Sequence, residues 1–471
     1  MLRLHHVAAA TITMLLVAAT APAEGKVEVR VDPRVELVSI VFRLAGNPEY
    51  NMENSRSLYA DDVEAHFGKF RDHATVQLAR KLRATRGIGY DAVMSLAVHL
   101  DDDVANPRPR TPLDPRPPLL EGRWSVEAAK DFIDSLGEFA RDTDFAGFLA
   151  RNRDRYDQSA AKLSAVVNRR DYVGWFNRFF GERPAAKFTV IVGMLEGGGN
   201  YGVSMRHHDG REEITPVIGI YQWDTHGLPA IGDEATSTIV HEFCHAYTNA
   251  IVDAHHDQLD QAGDVLFDRN ARIMRQQAYS GGRTVLYETL VRGVVAHYMA
   301  TELGPTAGKR QVTQEMTRGF KWTGGLVDLL AEYAGGRDQY PRFEDFVPRI
   351  VSYLNETAEK YDELEARFPK LVSIEPANGA TDVDAAATTR IVITFDRAMT
   401  DRSWSIVGGG PKYPKLGTPV YDADRKVLSV PVTLEPGKQY QFGLNGGRFF
   451  AFVSEDGYPL DPVNVTFATR P

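Results

Sequence analysis

The sequence predicts an α+β protein: a mostly helical part with a small mixed sheet, followed by a smaller all-β part. Three observations lead to this prediction. Residues 60–100 and 124–180 carry apolar side chains at helical spacing, residues 187–223 switch to β-type alternation, and the chain beyond Phe368 consists of short alternating runs separated by turn residues. We therefore expect two domains with different secondary structure.

Length and composition limit the possible functions. The chain has 471 residues, of which 43% are hydrophobic and 25% charged, which excludes a disordered chain, a collagen-like chain and a polytopic membrane protein. The net charge of -9 repels phosphate backbones, so we do not expect nucleic acid as a partner. The single cysteine, Cys244, cannot form an internal disulfide, and we expect it to be a small buried residue.

The first 23 residues have the features of a secretory signal peptide. A basic start is followed by an apolar stretch, Val7–Ala19, and by an Ala-x-Ala end that predicts cleavage after Ala23. An uncleaved membrane anchor is the alternative, but the apolar stretch is short for a span of about 20 residues. We expect an exported bacterial protein, either secreted, periplasmic or at the cell surface, with no membrane span after signal removal.

The expected larger domain, residues 24–368, begins with a strand-like pattern over Lys26–Leu44, where Val27, Val29 and Val31 alternate. Residues 106–118 contain six prolines. Proline at this density blocks helices and sheet ladders, so we expect an extended surface connection. This connection is either a domain boundary or a long loop inside one domain.

The second half of this domain combines strands with two long helices. We expect strands at Phe188–Val192 and Ile214–Trp223, with a glycine-rich turn, Gly197–Gly202, between them. Helices are expected over residues 233–252 and 284–302, where Gly304 and Pro305 end the second one.

The segment His241-Glu-Phe-Cys-His245 lies on the first of these helices. Positions i and i+4 lie about 40° apart around a helix, so His241 and His245 can present their ring nitrogens to one ion. Glu242 is placed to reach the water on that ion. Zinc lowers the pKa of a bound water towards 7, and a carboxylate can remove its proton as the water attacks a carbonyl. The alternative is a pair of exposed histidines without a metal.

A catalytic zinc ion needs a third protein ligand. A metzincin would have glycine at 248 and histidine at 251, and Thr248 and Ile251 exclude that class. Glu288 is the better candidate, because an acid on an apolar helix needs a partner and a cation is one. An ion pair of Glu288 with Arg292, one turn along, is the alternative, and both can hold if Arg292 orients the carboxylate. His255 and His256 remain open as ligands. His297 faces away from Glu288 by helical geometry.

The histidines, with the Glu on a later helix, resemble the gluzincin branch of the zincins, the zinc metallopeptidases. HEFCH, the later YETLVRGVVAHY, the upstream GGGNYG and the early aromatic-rich helices resemble an uncharacterised family of exported bacterial proteins over roughly residues 35–365. The resemblance implies a zincin-like domain with Zn²⁺ held by His241, His245 and Glu288, and Glu242 as general base. The sequence departs from the thermolysin-like motif, since no Asn precedes Glu288 and Arg292 stands where an Asp would orient a zinc histidine.

Other parts of the site are expected on weaker grounds. Zincins lay substrate along a sheet edge before the metal helix, and Val217–Tyr221, with Ile218 and Gly219, is the expected edge. In the glycine-rich turn, Gly198 and Gly199 would let a substrate backbone approach, and a plain hairpin turn is the alternative. Tyr201 and Tyr279 are the candidates for stabilising the oxyanion. Asn249, near the face of the two histidines, is expected to support them.

The chain from residue 369 to 471 shows alternating runs that predict a small β-sandwich. Ser373–Val383, Ile391–Met399, Leu434–Tyr440 and Val465–Thr469 resemble a bacterial Ig-like domain of the surface-layer-associated type. The resemblance implies a spacer or adhesion module that contacts the cell surface or another protein.

Together the residues favour an exported zinc metallopeptidase whose partner is a peptide or protein substrate. Two alternatives stay open. One is a non-enzymatic surface or adhesion protein with a structural or degenerate metal site. The other is the same zinc chemistry acting on a non-peptide amide or ester. Glu242 discriminates against the first, because a structural zinc site needs no carboxylate beside the water position.

Overall fold

The computed structural model describes residues 26–52 and 55–471. The expected signal peptide, residues 1–23, lies outside these residues. Helices and strands both occur in the first part of the chain and strands prevail in the last part, which confirms the mixed α and β content expected from the sequence.

Helices provide most of the first part. The helices are α1 (Pro33–Leu44), α2 (Leu58–Phe67), α3 (Ala74–Arg86), α4 (Asp91–Val98), α5 (Val126–Asp142), α6 (Phe145–Val167), α7 (Tyr172–Phe180), α8 (Thr236–Ala254), α9 (His256–Arg269), α10 (Ala271–Gln276), α11 (Gly282–Glu302), α12 (Pro305–Thr317), α13 (Thr323–Gly335), α14 (Phe343–Glu359) and α15 (Tyr361–Glu365). Short 3₁₀ turns at Pro48–Tyr50, Gly68–Phe70 and Asp233–Ala235 complete the helical elements.

A four-stranded mixed sheet lies among these helices. Its strands are β1 (Glu28–Arg30), β2 (Ala186–Gly193), β3 (Asn200–Arg206) and β4 (Glu212–Gly219), in the order β1-β2-β4-β3. The pairs β1-β2 and β2-β4 are parallel, whereas β3 pairs antiparallel with β4. Strand β3 is therefore the outer strand next to α8, which contacts both β3 and β4.

The expectation of strands over Lys26–Leu44 is wrong for most of that range. Only Glu28–Arg30 forms a strand, and α1 begins at Pro33. Asp32 caps this helix by accepting a hydrogen bond from the backbone N–H of Arg34, and proline is favourable in the first turn. Helix α1 is buried on nearly every side, so its apolar residues show no helical period and the run resembles a buried strand.

The glycine-rich turn is shorter than expected. Strand β3 begins at Asn200, so Tyr201 and Gly202 belong to a strand and the turn ends at Gly199. Tight antiparallel pairing of β3 with β4 accounts for the difference, because Asn200 already opposes Ile218.

The proline-rich stretch is a long loop whose buried residues belong to the same hydrophobic core as the segments on either side of it. Pro109 makes an isolated bridge to Leu100, and Leu113 is buried in the same core as residues on both sides of the stretch. Anchors of this kind let a chain without regular structure lie against the domain.

The last part of the chain forms two facing sheets. The strands are β5 (Leu371–Glu375), β6 (Arg390–Phe395), β7 (Ile406–Val407), β8 (Lys415–Leu416), β9 (Val420–Tyr421), β10 (Val427–Thr433), β11 (Gln439–Leu444) and β12 (Val463–Ala468). One sheet has the order β5-β6-β10-β8, with β9 also pairing with β10, and the other has the order β12-β11-β7. Alternate residues such as Ile391 and Ile393 on β6 and Tyr440 and Phe442 on β11 are buried between the sheets.

Two hydrophobic cores result. One draws on buried residues from Val27 to Tyr361, and the other on buried residues from Ile374 to Phe467. Within residues 26–52 and 55–471, no helix combines the length and the apolar character needed to cross a membrane.

Candidate metal centre

Helices α8 and α11 pack against each other and bring three donor side chains together. His241 and His245 lie one turn apart on α8, with ring centroids 5.0 Å apart. Glu288 on α11 faces both rings. Its Oε2 lies 3.4 Å from Nε2 of His241 and its Oε1 lies 3.6 Å from Nε2 of His245.

The donor atoms are spaced as a divalent ion requires. All three lie within 4.8 Å of one another. Bonds of about 2.0–2.1 Å in a tetrahedral zinc site place ligand atoms about 3.4 Å apart. Although Arg292 forms an ion pair with Glu288 at 3.0 Å, Oε2 of Glu288 is buried and accepts no hydrogen bond of normal geometry. Two imidazoles and one under-satisfied carboxylate therefore fit a zinc ion.

The charges around Glu288 keep it ionised. Burial by itself would raise the pKa of Glu288, but His241 and Arg292 hold that pKa well below its ordinary value. Burial lowers the pKa of His241, but the Glu288 and Glu242 carboxylates outweigh burial, and the pKa is raised. Burial prevails at His245, whose pKa is lowered. An anionic carboxylate and a neutral imidazole are the forms that bind a metal.

A buried polar network holds Arg292 beside Glu288. Arg292 donates from Nη1 to Glu315, and its Nη2 donates to the hydroxyl of Tyr279 at 2.7 Å. Gln311 donates to the other Glu315 oxygen at 2.6 Å. The guanidinium therefore has little freedom, and its ion pair with Glu288 orients the carboxylate towards the histidines.

His245 is oriented by its neighbour one turn along. Its Nδ1 lies 3.1 Å from Oδ1 of Asn249, an atom that can only accept, so Nδ1 carries the proton. The lone pair of Nε2 then points towards Glu288 and is free to bind a metal. The structure thus places Asn249 where the sequence analysis expected it.

Glu242 lies next to His241 on α8 and is 6% exposed. Burial raises its pKa to about 7, and the Glu288 carboxylate acts in the same direction, whereas His241 and Arg292 oppose the increase. A carboxyl group with a pKa near neutrality can take up and release a proton at physiological pH. This is the property that a general base in this position needs.

Gly202 on β3 determines how closely the sheet approaches α8. A Cβ at position 202 would lie 2.4 Å from the carbonyl oxygen of Glu242 and 2.9 Å from Cβ of His245. Only glycine allows this contact. The backbone of β3 therefore runs directly along the segment that carries Glu242 and His245.

Tyr279 is the candidate for oxyanion stabilisation that lies at the centre. Its hydroxyl accepts a hydrogen bond from Arg292, so its own proton can be donated, and the Glu288 carboxylate is within reach as an acceptor. Burial raises the pKa of Tyr279, and Glu288 adds to the increase. The phenol therefore stays protonated and can donate a hydrogen bond.

Tyr201 lies on the other face of the sheet, contrary to the expected oxyanion role. Side chains alternate along a strand, so Tyr201 points away from α8 when Gly202 faces it. Its hydroxyl lies 2.4 Å from where a Cβ of Gly199 would be. Burial raises the pKa of Tyr201, and Glu196 and Glu49 add to this.

The expected substrate-binding residues lie elsewhere. Ile218 pairs with Asn200 of β3 on one side and with Val192 of β2 on the other, and Gly219 pairs with Gly193. Strand β4 is therefore an inner strand, and β3 has the outer position. A Cβ at Gly198 would meet the ring of Tyr221 at 3.6 Å, and Gly199 packs over the end of β4. Ile218 and Gly219 therefore do not form a free sheet edge along which a substrate could lie.

Three further candidates, His255, His256 and His297, and the cysteine do not join the cluster among the residues that the structure describes. His256 pairs with Asp257 at 3.0 Å, and His255 ends α8, about 15 Å along the helix from His245. His297 lies against the ring of Phe179, and burial lowers its pKa to about 4. Cys244 is buried and free, and burial raises its pKa.

Three contributors to the site were not expected from the sequence: Gly202 in its packing role, Glu315, and Phe320, whose ring centroid lies 4.4 Å from the Arg292 guanidinium carbon. Gln311 and Glu315 stand four residues apart on α12, and this polar pair is the only sequence signal for Glu315. The only signal for Gly202 is its place in a glycine-rich run. Neither pattern indicates contact with a distant helix.

Comparisons with known proteins identify two regions. Residues 120–353 match the family described as a domain of unknown function (DUF4932), and residues 365–469 match the bacterial Ig-like domain Big_5. Residues 120–353 are thus similar to one family of unknown function, and residues 365–469 are similar to bacterial Ig-like domains. No curated protein matches the chain.

Solved structures of an S-layer protein show only a distant likeness. The crystal structure of the S-layer protein rSbsC(31-844) is 14% identical with a TM-score of 0.18, covering 49% of this chain and 33% of that one. The N-terminal part of the bacterial S-layer protein SbsC is 14% identical with a TM-score of 0.17, covering 53% and 61%. This chain spans about one third of the first structure's length, and TM-scores this low do not show a shared fold.

Proposed function

We propose that this protein is an exported, zinc-dependent hydrolase that cleaves peptide bonds, with a zincin-like domain over residues 24–368. The observation that carries the proposal is the convergence of His241, His245 and Glu288 beside a buried Glu242. The two imidazoles come from one helix and the carboxylate from another, as in gluzincin-like sites. Zinc bound by these residues would supply Lewis-acid polarisation of a water and of the scissile carbonyl.

Glu242 would act as the general base. With a pKa of about 7, it is ionised in a large fraction of molecules at neutral pH and can accept a proton from the attacking water. The same carboxyl group can then deliver that proton to the leaving amine. Arg292 and Asn249 would hold Glu288 and His245 in place during these steps.

Tyr279 would stabilise the charge that develops on the carbonyl oxygen. Its hydroxyl is held by Arg292 at 2.7 Å and keeps a proton to donate. Donors fixed before the reaction stabilise the transition state without reorganisation. We assign the oxyanion role to Tyr279 rather than Tyr201.

A peptide substrate would add to the sheet along β3. This strand is one of the two outer strands of the sheet, and Gly202 brings it into contact with the segment of α8 that carries Glu242. Backbone hydrogen bonds to an outer strand hold an extended peptide without regard to most of its side chains. The proposal replaces the expected role of Ile218 and Gly219 with the backbone of Asn200–Arg206.

The experiment is a peptide-library digestion by the full chain, with and without a chelator, followed by mass spectrometry. Glu242→Gln should retain bound zinc and lose at least about 100-fold in rate, because general-base catalysis contributes that much or more. Glu302→Gln, the same substitution at an exposed position of α11, is the matched control. Full activity in Glu242→Gln would disprove the proposed role.

A surface or adhesion role is the second candidate, favoured by the bacterial Ig-like domain at residues 365–469. Such a module would hold the metal domain at the cell surface or bind another protein. Zinc binding without cleavage of any peptide in the library, or of amide and ester substrates, would favour this candidate. Chelator-sensitive cleavage of esters alone would favour a non-peptide hydrolase.

A further inference from the structure

A short segment between α12 and α13 contacts both the support of the metal centre and the Ig-like domain. We call Phe320–Trp322 the bridging segment. Phe320 packs its ring 4.4 Å from the guanidinium carbon of Arg292. Trp322 donates from Nε1 to Oγ1 of Thr289, the residue after Glu288, at 3.0 Å. Lys321, between them, extends its Nζ to 3.0 Å from Oδ2 of Asp461.

The bridging segment is buried and tightly held. Phe320 is 0% exposed and Trp322 is 1% exposed. The Phe320 carbonyl accepts a hydrogen bond from the hydroxyl of Thr323 at 2.7 Å, and the Trp322 carbonyl accepts one from Tyr353 at 2.6 Å. A close-packed segment with these bonds transmits a displacement of one residue to its neighbours instead of absorbing it.

Lys321 obtains part of its stabilisation from the second domain. Its side chain is 6% exposed, and a nearly buried ammonium group needs anionic partners. Glu365, at the end of α15, provides one carboxylate at 3.3 Å, and Asp461 of the Ig-like domain provides the other. The ammonium also lies 4.8 Å from the ring centroid of Phe368.

Further contacts join the two domains at the same place. The ring of Tyr458 in the Ig-like domain packs against Phe368 with centroids 5.1 Å apart, and Arg367 stacks on the same ring at 4.6 Å. Arg397 donates to the backbone carbonyls of Ala366 and Arg367. Lys321 is thus part of an extended interface between the domains.

We propose that the Ig-like domain positions Glu288 for metal binding through the bridging segment. Asp461 holds Lys321, Lys321 fixes Phe320 against Arg292, and Arg292 orients the Glu288 carboxylate. Lys321, Phe320 and Asp461 are positioning residues, since none of them contacts the donor atoms. This inference rests on the metal site of the proposed function.

The test is the zinc affinity of the full chain, measured by competition with a chromophoric chelator. Asp461→Asn should weaken zinc binding by about threefold to tenfold. Residues that contact a metal ligand directly typically cost about 10-fold or more when they are changed, and Asp461 acts from farther away. Glu435→Gln is the matched control. It removes a carboxylate from an exposed pair with Lys438 in the same domain and should leave the zinc affinity unchanged. Thermal unfolding of the metal-free proteins reports whether each variant folds.

A double-mutant cycle tests the route. Phe320→Leu should weaken zinc binding by about tenfold, and adding Asp461→Asn should weaken it little further, because both substitutions act on the same contact. Additive losses would overturn the route through Phe320. Unchanged affinity in Asp461→Asn, when the unmodified protein binds zinc, would overturn this inference alone. Absence of zinc binding by the unmodified protein would overturn the proposed metal site as well.

Discussion

Two buried acidic clusters in the first domain differ in what surrounds them. The metal cluster consists of His241, Glu242, His245 and Glu288. The carboxylate pair consists of Glu36 on α1 and Glu196 after β2, both 0% exposed. The two clusters lie on opposite faces of the sheet, since Gly202 faces α8 and Tyr201 faces the side of Glu196.

The partners of the carboxylate pair are mainly hydroxyl groups. Tyr59 donates to Glu36 at 2.6 Å, and Ser39 donates to Glu196, which also accepts from the Leu195 backbone at 3.0 Å. Burial raises the pKa of Glu36 well above its ordinary value, and the nearby Glu196 adds to the increase. Burial also raises the pKa of Glu196. Glu36 therefore holds its proton to a higher pH than an exposed glutamate does.

Burial alone thus does not mark a metal ligand. Glu288 is also buried, at 7% exposed, yet Arg292 and two imidazoles keep it anionic. A buried carboxylate with a cation beside it stays charged, whereas without one the cost of burial prevails over its hydrogen bonds and favours the protonated form. The side chains that converge on it from other elements decide between these outcomes.

The largest expected difference between the clusters is in metal affinity. Glu288→Gln should weaken zinc binding by at least about 100-fold, because it removes an anionic ligand and leaves Arg292 with one anionic partner fewer. Glu196→Gln, the same change in the carboxylate pair, should leave zinc affinity unaltered. Competition titration of both variants measures this. Equal losses in the two variants would remove the distinction between the clusters.

The next prediction concerns the stability contributed by β3, the strand between the metal cluster and the carboxylate pair. Gly202→Ala should lower the free energy of unfolding by about 1–3 kcal/mol, because its Cβ would press on the backbone of α8. It should also weaken zinc binding, since α8 carries both histidines. Gly198→Ala, which meets only the ring of Tyr221 at 3.6 Å, should change stability by less than about 0.5 kcal/mol. Chemical denaturation and zinc titration measure both, and similar values for the two variants would contradict the close approach.

The last difference is a pH dependence of the free energy of unfolding that has opposite signs in the two clusters. Glu36 has a raised pKa in the fold, so its contribution to stability is complete below the ordinary pKa of about 4.3 and is lost as pH rises through the folded value. Glu288 has a lowered pKa, so its contribution in the metal-free protein is present above about 4.3 and is lost as pH falls.

Glu36→Gln should therefore lose less stability than the unmodified protein between about pH 5 and about pH 8, by at most about 1.4 kcal/mol per pH unit. Denaturation of the metal-free proteins across this range measures the two slopes. The exposed substitution Glu302→Gln should follow the unmodified protein. A Glu36→Gln profile parallel to that of the unmodified protein would show that Glu36 does not bind an extra proton in the fold.

Local sequence patterns predicted much of the candidate site. The spacing of four positions from His241 to His245 places both rings on one face of a helix, whatever the helix packs against. Glu288 stood out as an acid on an apolar helix, and Arg292 and Asn249 lie one turn from the residues they contact. Each of these inferences depends on spacing within one helix.

Contacts between distant elements were not predictable in the same way. Glu315 and Phe320 reach Arg292 only because α12 and the bridging segment pack on α11. The structure places Tyr201 on the sheet face away from α8 and places Ile218 and Gly219 on an inner strand. Strand order and the start of β3 determine which face and which edge a residue occupies. A shift of one residue reverses the face of a side chain.

By itself the sequence determined the division into a mixed first part and an all-β last part, and the helix that carries the two histidines. These properties follow from periodicity and turn residues over short stretches, where the backbone's own geometry dictates the outcome. Only the tertiary structure decided that α1 is a helix, that Glu288 meets the histidines while Glu36 meets Tyr59, and that Lys321 reaches Asp461. The physical reason is that a buried charge is stabilised by whichever partners are brought within a few ångströms, and packing of remote segments supplies them.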